Sequence, residues 1–237
     1  MATVLITGAS RGIGLELARQ YAADGWRVLA TARNPRGSAG LGELAEKHGG
    51  NLETHRLDVA DENSVGTLAA LLKDQPIDLL MNNAGTYPRK GTHVGELDYQ
   101  AWRDTFETNL FGVMHLTEAL LKNVARSGRK QIAAISSGMG SLGAAAQGSV
   151  DTMGASYQYR TSKSALNMAL LVLSKELAPR GISVAIISPG WVKTDMGGAQ
   201  AAITPQASVA GIRKVLDLPG MEISGKFLSY DGSVWAW

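Results

Sequence analysis

The chain has 237 residues, with 23 Lys and Arg against 21 Asp and Glu and a net charge of +2; that length reads as one domain with its own core, and the charge balance argues against a nucleic-acid partner. Cysteine is absent, which excludes disulfides, thiolate nucleophiles and cysteine-ligated zinc. The longest apolar runs fall far short of the ~20 residues of a membrane span, and residues 1–6 lack the basic start of a signal peptide, so a cytoplasmic protein without a membrane partner is expected.

Short Val- and Ile-rich runs alternate with longer stretches of helical period, the pattern of repeated βα units around a parallel sheet. In chain order the expected strands are residues 4–7, 27–32, 52–58, 77–82, 131–136, 183–187 and 226–230. The expected helices are 13–24, 64–73, 99–126, 157–178 and 205–216, with a weakly signalled helix in the glycine-rich segment 37–50. Thr204 and Pro205 give an N-cap followed by proline at the first helical position, and Gly25 and Gly181 stand where helices must end. The expectation is an α/β fold: a single doubly wound (Rossmann) domain over residues 1–237, its seven-stranded parallel sheet covered by helices on both faces.

The first strand runs into Thr7-Gly8-Ala9-Ser10-Arg11-Gly12-Ile13-Gly14, and helical periodicity starts at the last glycine. Glycines at this spacing let the backbone turn sharply and let a phosphate approach a helix N-terminus. A nucleotidase phosphate loop would end Gly-Lys-Ser/Thr, which does not follow. Residues 8–12 also fit a G-x-S-x-G nucleophile elbow, but that elbow needs an oxyanion loop from an earlier strand, and only seven residues precede Gly8. About 20 residues past the turn, where an acid would read a free ribose 2′-hydroxyl and an arginine would accommodate a 2′-phosphate, the strand ends in Arg33. With Arg11 as a second cation, NADP(H) is expected over NAD(H); the plain alternative is that both arginines are solvated surface charges.

Tyr159 and Lys163 are four apart in a helical stretch, so they share a face. An ammonium beside a phenol lowers a pKa that starts near 10, as proton exchange at neutral pH requires. Tyr157 has Thr161 at the equivalent position and lacks such a partner.

Taken together, the turn at residues 7–14, Asp58, Asn82-Asn83-Ala84-Gly85, Asn109, Ser136-Ser137, Tyr159-x3-Lys163 and Pro189-Gly190 with Thr194 resemble the short-chain dehydrogenase/reductase family over nearly the whole chain. Residues 159–167 and 189–198 resemble its branch of sniffer-type carbonyl reductases and bacterial C-factor proteins. The resemblance implies an NADPH-dependent oxidoreductase acting on an aldehyde, ketone or alcohol. Tyr159 would protonate the carbonyl oxygen, Ser137 would polarise it, Lys163 would hold the nicotinamide ribose and lower the tyrosine pKa, and Asn109 would fix a relay water. Ser136 and Ser141 are rivals for the serine role, and a mid-helix asparagine more commonly satisfies helix backbone. Cofactor contacts are implied from Gly8, Ser10, Arg11, Gly12, Ile13 and Gly14, from Arg33, and from Asp58 beside the adenine. Further contacts are implied from Asn82, Ala84 and Gly85 beside the adenosine ribose, and from Pro189, Gly190, Val192 and Thr194.

Ser137 and Tyr159 are 22 positions apart, more than the family's usual interval, which places an insertion in residues 138–154 beside the expected site. Residues 191–204, small-residued and past the sixth strand, are expected to form a lid. Trp191, Trp235 and Trp237 are candidates for the substrate pocket or a subunit interface. The four histidines at 48, 55, 93 and 115 lack metal-ligand spacing, so no metal is expected. The family usually pairs through its two long helices, which implies a homodimer or homotetramer. The alternative to an enzyme is an NADP(H)-binding signalling or redox-sensing protein with incidental turnover.

Overall fold

The computed structural model describes residues 1–149 and 155–237. Seven strands, β1 (Thr3–Ile6), β2 (Arg27–Ala32), β3 (Leu52–Arg56), β4 (Leu79–Asn82), β5 (Gln131–Ile135), β6 (Ser183–Ser188) and β7 (Phe227–Ser229), form one sheet in the order β3-β2-β1-β4-β5-β6-β7. Every pairing is parallel, as expected of strands joined by helical crossovers.

Alternation along each strand divides the core in two. Val4, Ile6, Val28, Ala30, Leu79 and Met81 face α1 (Gly12–Ala23) and α2 (Ala39–His48). Leu5, Leu29, Leu80, Ile132 and Ile186 face the other side, against α3 (Glu62–Leu71) and the helices that follow. These side chains are close to fully buried, each of those larger than alanine stabilising the fold by roughly 1.5–3 kcal/mol. The strand order reverses between β1 and β4, and in an open parallel sheet the carboxyl ends at that reversal leave a crevice.

The helix expected over residues 99–126 is broken. It runs as α4 (Tyr99–Phe106), a π-helical turn (Glu107–Phe111) and α5 (Gly112–Ala125). Two observations account for the wide turn. A Cβ on Gly112 would lie 2.5 Å from the Val59 carbonyl oxygen, so helix and β3–α3 connection touch backbone to backbone. Asn109 turns its amide inward to the chain after β4. Next come α6 (Tyr157–Leu177) and α7 (Pro205–Leu216), the latter capped by Thr204, whose hydroxyl accepts from Ala207 N at 3.2 Å. The weakly signalled α2 is present, capped by Ser38. Of the segment read as an insertion, residues 138–149 form three short helical turns, and residues 150–154 lie outside the described residues. Among the described residues no helix is long and apolar enough to cross a membrane.

Candidate active site

The glycine-rich turn leaves β1 at the sheet reversal and is bound to the segment after β4. Thr7 Oγ1 accepts from Asn83 N and Ala84 N, both at 2.9 Å, and Asn83 Nδ2 donates to Thr7 O at 2.8 Å and Gly8 O at 3.2 Å. Gly8 and Gly12 sit at φ +65° and +56°, where a side chain would be strained. A Cβ on Gly14 would fall 2.2 Å from Gly8 O. Arg11 is the N-cap of α1 and makes no side-chain cap bond, so the first-turn N–H groups remain available to an anion.

Over this turn lies a cleft of ≈ 1260 Å³. Gly8, Ser10, Arg11, Gly12, Ile13 and Gly14 line it, together with Arg33, Asp58, Ala84, Gly85, Tyr159, Lys163, Pro189 and Thr194. These sequence-selected residues, drawn from across the chain, meet at one place. Three of the expected cofactor contacts, Asn82, Gly190 and Val192, stand behind the wall. Asn82 is 2% exposed and donates to Thr117 Oγ1 at 3.2 Å, so its amide serves the core. Gly190, at φ +79°, packs its backbone on Ile203 and Tyr230, and Val192 is buried and bridges to Ile203.

At the other end of the cleft, Tyr159 is buried, its phenol in hydrogen-bonding reach of Ser137 and its ring edge-on to Tyr87 with centroids 4.8 Å apart. The sequence suggested that Lys163 would depress the tyrosine pKa, and the structure corrects this. Burial pushes the phenol up to about 12 against the opposing pull of the Ser137 hydrogen bond, and Tyr87 adds to the rise. Lys163 Nζ lies 5.8 Å from the ring centroid and donates instead to Ile135 O at 2.8 Å; burial lowers its own pKa to about 8. Desolvation is the largest cause of both shifts.

The three candidate serines separate cleanly. Ser136 donates to Asn167 Oδ1 at 2.5 Å. Ser141 caps a short helical turn, accepting from Ala144 N, and donates to Ala236 O at 2.7 Å. Ser137 faces Tyr159. Asn109 is fully buried and serves no helix backbone: it accepts from Thr86 N at 2.8 Å and donates to Thr86 O and Ser162 Oγ, both at 3.0 Å. Ser162 Oγ in turn donates to Tyr159 O at 2.8 Å, so Asn109 ties the chain after β4 to the turn of α6 that carries the tyrosine.

Sequence reasoning passed over several residues here. Asn83 holds the glycine turn, and its place in Asn82-Asn83-Ala84-Gly85 was the available signal. Tyr87 walls the cleft without any spacing signal. In residues 191–204, Lys193 N donates to Ile203 O at 2.8 Å and Ile203 N to Trp191 O at 3.0 Å, closing the base of a loop. Its Asp195 pairs with Arg11 at 3.4 Å and accepts at its carbonyl from Arg89, reaching both sides of the cleft. None of the three candidate tryptophans lines the cleft: Trp191 donates to Gly197 O at 2.8 Å, and Trp235 and Trp237 stack on Phe227. Among the described residues no group of three or more His, Asp or Glu is placed to hold a metal ion.

The sequence matches the short chain dehydrogenase family over residues 2–203. C-signal of Myxococcus xanthus is 38% identical over 162 residues, spanning 68% of this chain and 93% of that one. Carbonyl reductase Sniffer of D. melanogaster has the same fold at a TM-score of 0.91 and 34% identity, covering 100% of both chains. The NADPH-bound carbonyl reductase from chicken fatty liver follows at 0.90 and 34%, covering 100% of this chain and 99% of that one. With the glycine turn, the Asn82 to Gly85 segment and the Tyr159–Lys163 pair around one cleft, the chain belongs to the short-chain dehydrogenase/reductase family of oxidoreductases, in the branch of Sniffer, related carbonyl reductases and C-signal.

Proposed function

We propose that this protein is an NADP(H)-dependent reductase of aldehydes and ketones, working in reverse on alcohols. The observation that carries the reading is the pairing of Tyr159, buried with its pKa near 12 and bonded to Ser137, with a cleft that leads to an uncapped helix N-terminus. A protonated phenol bonded to Ser137 beside that cleft suits the role of proton donor to a carbonyl oxygen, and its phenolate that of acceptor in the reverse direction.

The cleft fits a dinucleotide phosphate. The free N–H groups at the start of α1, bared by Gly12 and Gly14, would take the diphosphate, with Ser10 and Ile13 alongside. Arg33 and Arg11 would take the 2′-phosphate, a charge-assisted contact that an acid at position 33 would oppose. Asp58 would lie beside the adenine and Ala84 and Gly85 beside its ribose, with Asn82 holding that turn from behind. Lys163 would hold the nicotinamide ribose hydroxyls, while Pro189 and Thr194 would flank the carboxamide, with Gly190 and Val192 holding that segment from behind. Bound nicotinamide supplies the hydride. As charge then builds on the substrate oxygen, Ser137 donates a hydrogen bond to it and Tyr159 gives it a proton; aimed donors of this kind are each worth about 10²–10³ in rate. Asn109 fixes the backbone beneath Tyr159 through Ser162 and gives the proton path its place.

The loop 191–204 acts as a lid whose base is pinned by the Val192–Ile203 bridge, so limited proteolysis within it slows on adding NADPH; identical cleavage would remove the lid. Exposed Phe111, Met168 and Val172 near and on α5 and α6 support pairing of two copies there, which analytical ultracentrifugation tests. The central experiment is Tyr159→Phe. NADPH oxidation across a panel of carbonyl compounds is abolished while NADPH affinity changes less than about twofold, since the loss is one of transition-state stabilisation. A wild-type protein that binds NADPH and reduces nothing would instead place it among cofactor-binding sensors.

A further inference from the structure

The turn that presents Ser137 is poor in side chains of its own. Gly138, Gly140 and Gly143 leave its position to whatever packs around it, and a 3₁₀ turn of three residues, here Gly138–Gly140, is weakly held by its own bonds. From one side the holder is α6. Gly140 lies against Lys163, where an added Cβ would come 2.8 Å from the lysine Cβ, and Gly140 O accepts from Ser164 Oγ at 2.9 Å and Asn167 Nδ2 at 3.3 Å.

From the other side the holder is the end of the chain. After β7 the backbone reverses: Ser229 N donates to Ser233 O at 2.7 Å, Val234 bridges antiparallel to Leu228, and Trp235 N donates to Phe227 O at 2.9 Å. Both indoles stack on Phe227, at 6.1 Å for Trp235 and 5.7 Å for Trp237, which anchors this segment to the core. It then meets the Ser137 turn at successive points. The Trp235 ring covers the bare face of Gly138, where a Cβ would lie 2.6 Å from the indole. Ser141 Oγ donates to Ala236 O at 2.7 Å, and Gly143 N donates to Trp237 O at 2.5 Å.

We infer that residues 235–237 are a positioning strap: they press the Ser137 turn against α6 and so set the distance between the Ser137 hydroxyl and the Tyr159 phenol. The inference rests on the proposed role of Ser137 in polarising the carbonyl. Its physical basis is that a donor displaced by about 1 Å forfeits much of its rate contribution, up to about 10²-fold. A tail that merely covers Phe227 would lower stability and leave catalysis alone.

Trp235→Ala, Trp235→Phe, Ser137→Ala and the Trp235→Ala/Ser137→Ala double variant separate these readings. Steady-state kinetics with NADPH and a series of aldehydes are recorded beside NADPH affinity and the melting temperature. Ser137→Ala lowers kcat about 100-fold. Trp235→Ala lowers it about tenfold with NADPH affinity within twofold, Trp235→Phe restores most of the loss, and the double variant is no slower than Ser137→Ala, because the strap acts through a hydroxyl already gone. Losses that multiply in the double variant, or a Trp235→Ala protein of full kcat, overturn the strap while leaving the role of Ser137 intact. An undiminished Ser137→Ala protein fails the underlying role of Ser137, and the strap with it. Ser141→Ala supplies the same test without removing an aromatic anchor: a loss of about threefold that vanishes in the Ser137→Ala background supports the strap, and one that persists there overturns it.

Discussion

On one wall of the cleft, residues 8–14 are fixed by backbone: two glycines at positive φ, a helix beginning at Gly12, and two Thr7 and Asn83 side chains bonding main-chain groups. Across from it, residues 193–196 of the loop 191–204 reach the cleft, held at the base of the loop by the Lys193–Ile203 and Ile203–Trp191 backbone bonds and from the side by the Arg89 side chain on the Asp195 carbonyl. At Gly8, Gly12 and Gly14 the first wall has almost no freedom to change residue type. The second is a loop, the kind of element in which one fold can accept different substrates on a shared cofactor frame.

The most direct way to break the comparison is Gly14→Ala. Its methyl would lie 2.2 Å from Gly8 O and 2.5 Å from Asn83 Nδ2, so the turn must open, at a cost of about 3 kcal/mol, and NADPH binding falls below detection in a fluorescence titration. Gly42→Ala is the control. Nothing lies within 4 Å of its Cβ in α2, and urea unfolding shows a gain of about 0.5–1 kcal/mol. Next in size is the buried ammonium. The Lys163 pKa is lowered from 10.5 to about 8 in the folded protein, so the unfolded chain binds more protons between those values and stability rises with pH across that window. From about pH 7 to 9.5 the gain is about 2 kcal/mol, and Lys163→Met removes it. Tyr159, raised to about 12, acts the other way only above its ordinary value near 10, where stability falls as pH rises. Urea unfolding at the two pH values checks the lysine; an equal rise in Lys163→Met would assign the gain to other groups.

The difference between the walls also explains what the sequence discloses. Glycine spacing and the helix start are local, so the turn is legible from residues 7–14. The strands follow from Val and Ile runs, and β2 and α7 fall on the expected residues. The π-helical break at Glu107–Phe111 is not legible, because it is caused by Val59 and Thr86, far away in sequence. Tyr159 and Lys163 announce their proximity by spacing, but the direction of the tyrosine shift depends on burial by Tyr87 and the sheet ends, which no spacing encodes. Asn82 and Asn83 read alike in sequence. Strand alternation sends one to Thr117 in the core and the other to the glycine turn.

Smaller effects sharpen the cofactor wall itself. Arg33 is exposed at the cleft edge, so the contact proposed for it with a 2′-phosphate would be partly screened; on that proposal Arg33→Ala weakens NADPH about tenfold and NADH less than twofold. Equal losses for the two cofactors would assign Arg33 a role unrelated to the 2′-phosphate.

The smallest effect concerns a place where the two walls touch through charge. Arg11 and Asp195 are 3.4 Å apart with side chains 74% and 78% exposed, a pair worth no more than about 0.5 kcal/mol to stability. Its significance is competition: a carboxylate that occupies Arg11 opposes a phosphate seeking the same guanidinium. Asp195→Asn keeps the side-chain shape and leaves the backbone bond from Arg89 to the Asp195 carbonyl in place, so the loop keeps its tether while the competing charge disappears. NADPH affinity therefore rises, by about twofold at low ionic strength. The gain fades at several hundred millimolar salt, where the Debye length shrinks to a few ångströms. Titrations at both salt levels decide the matter: weaker binding in Asp195→Asn would mean that the carboxylate orients Arg11 toward the cofactor.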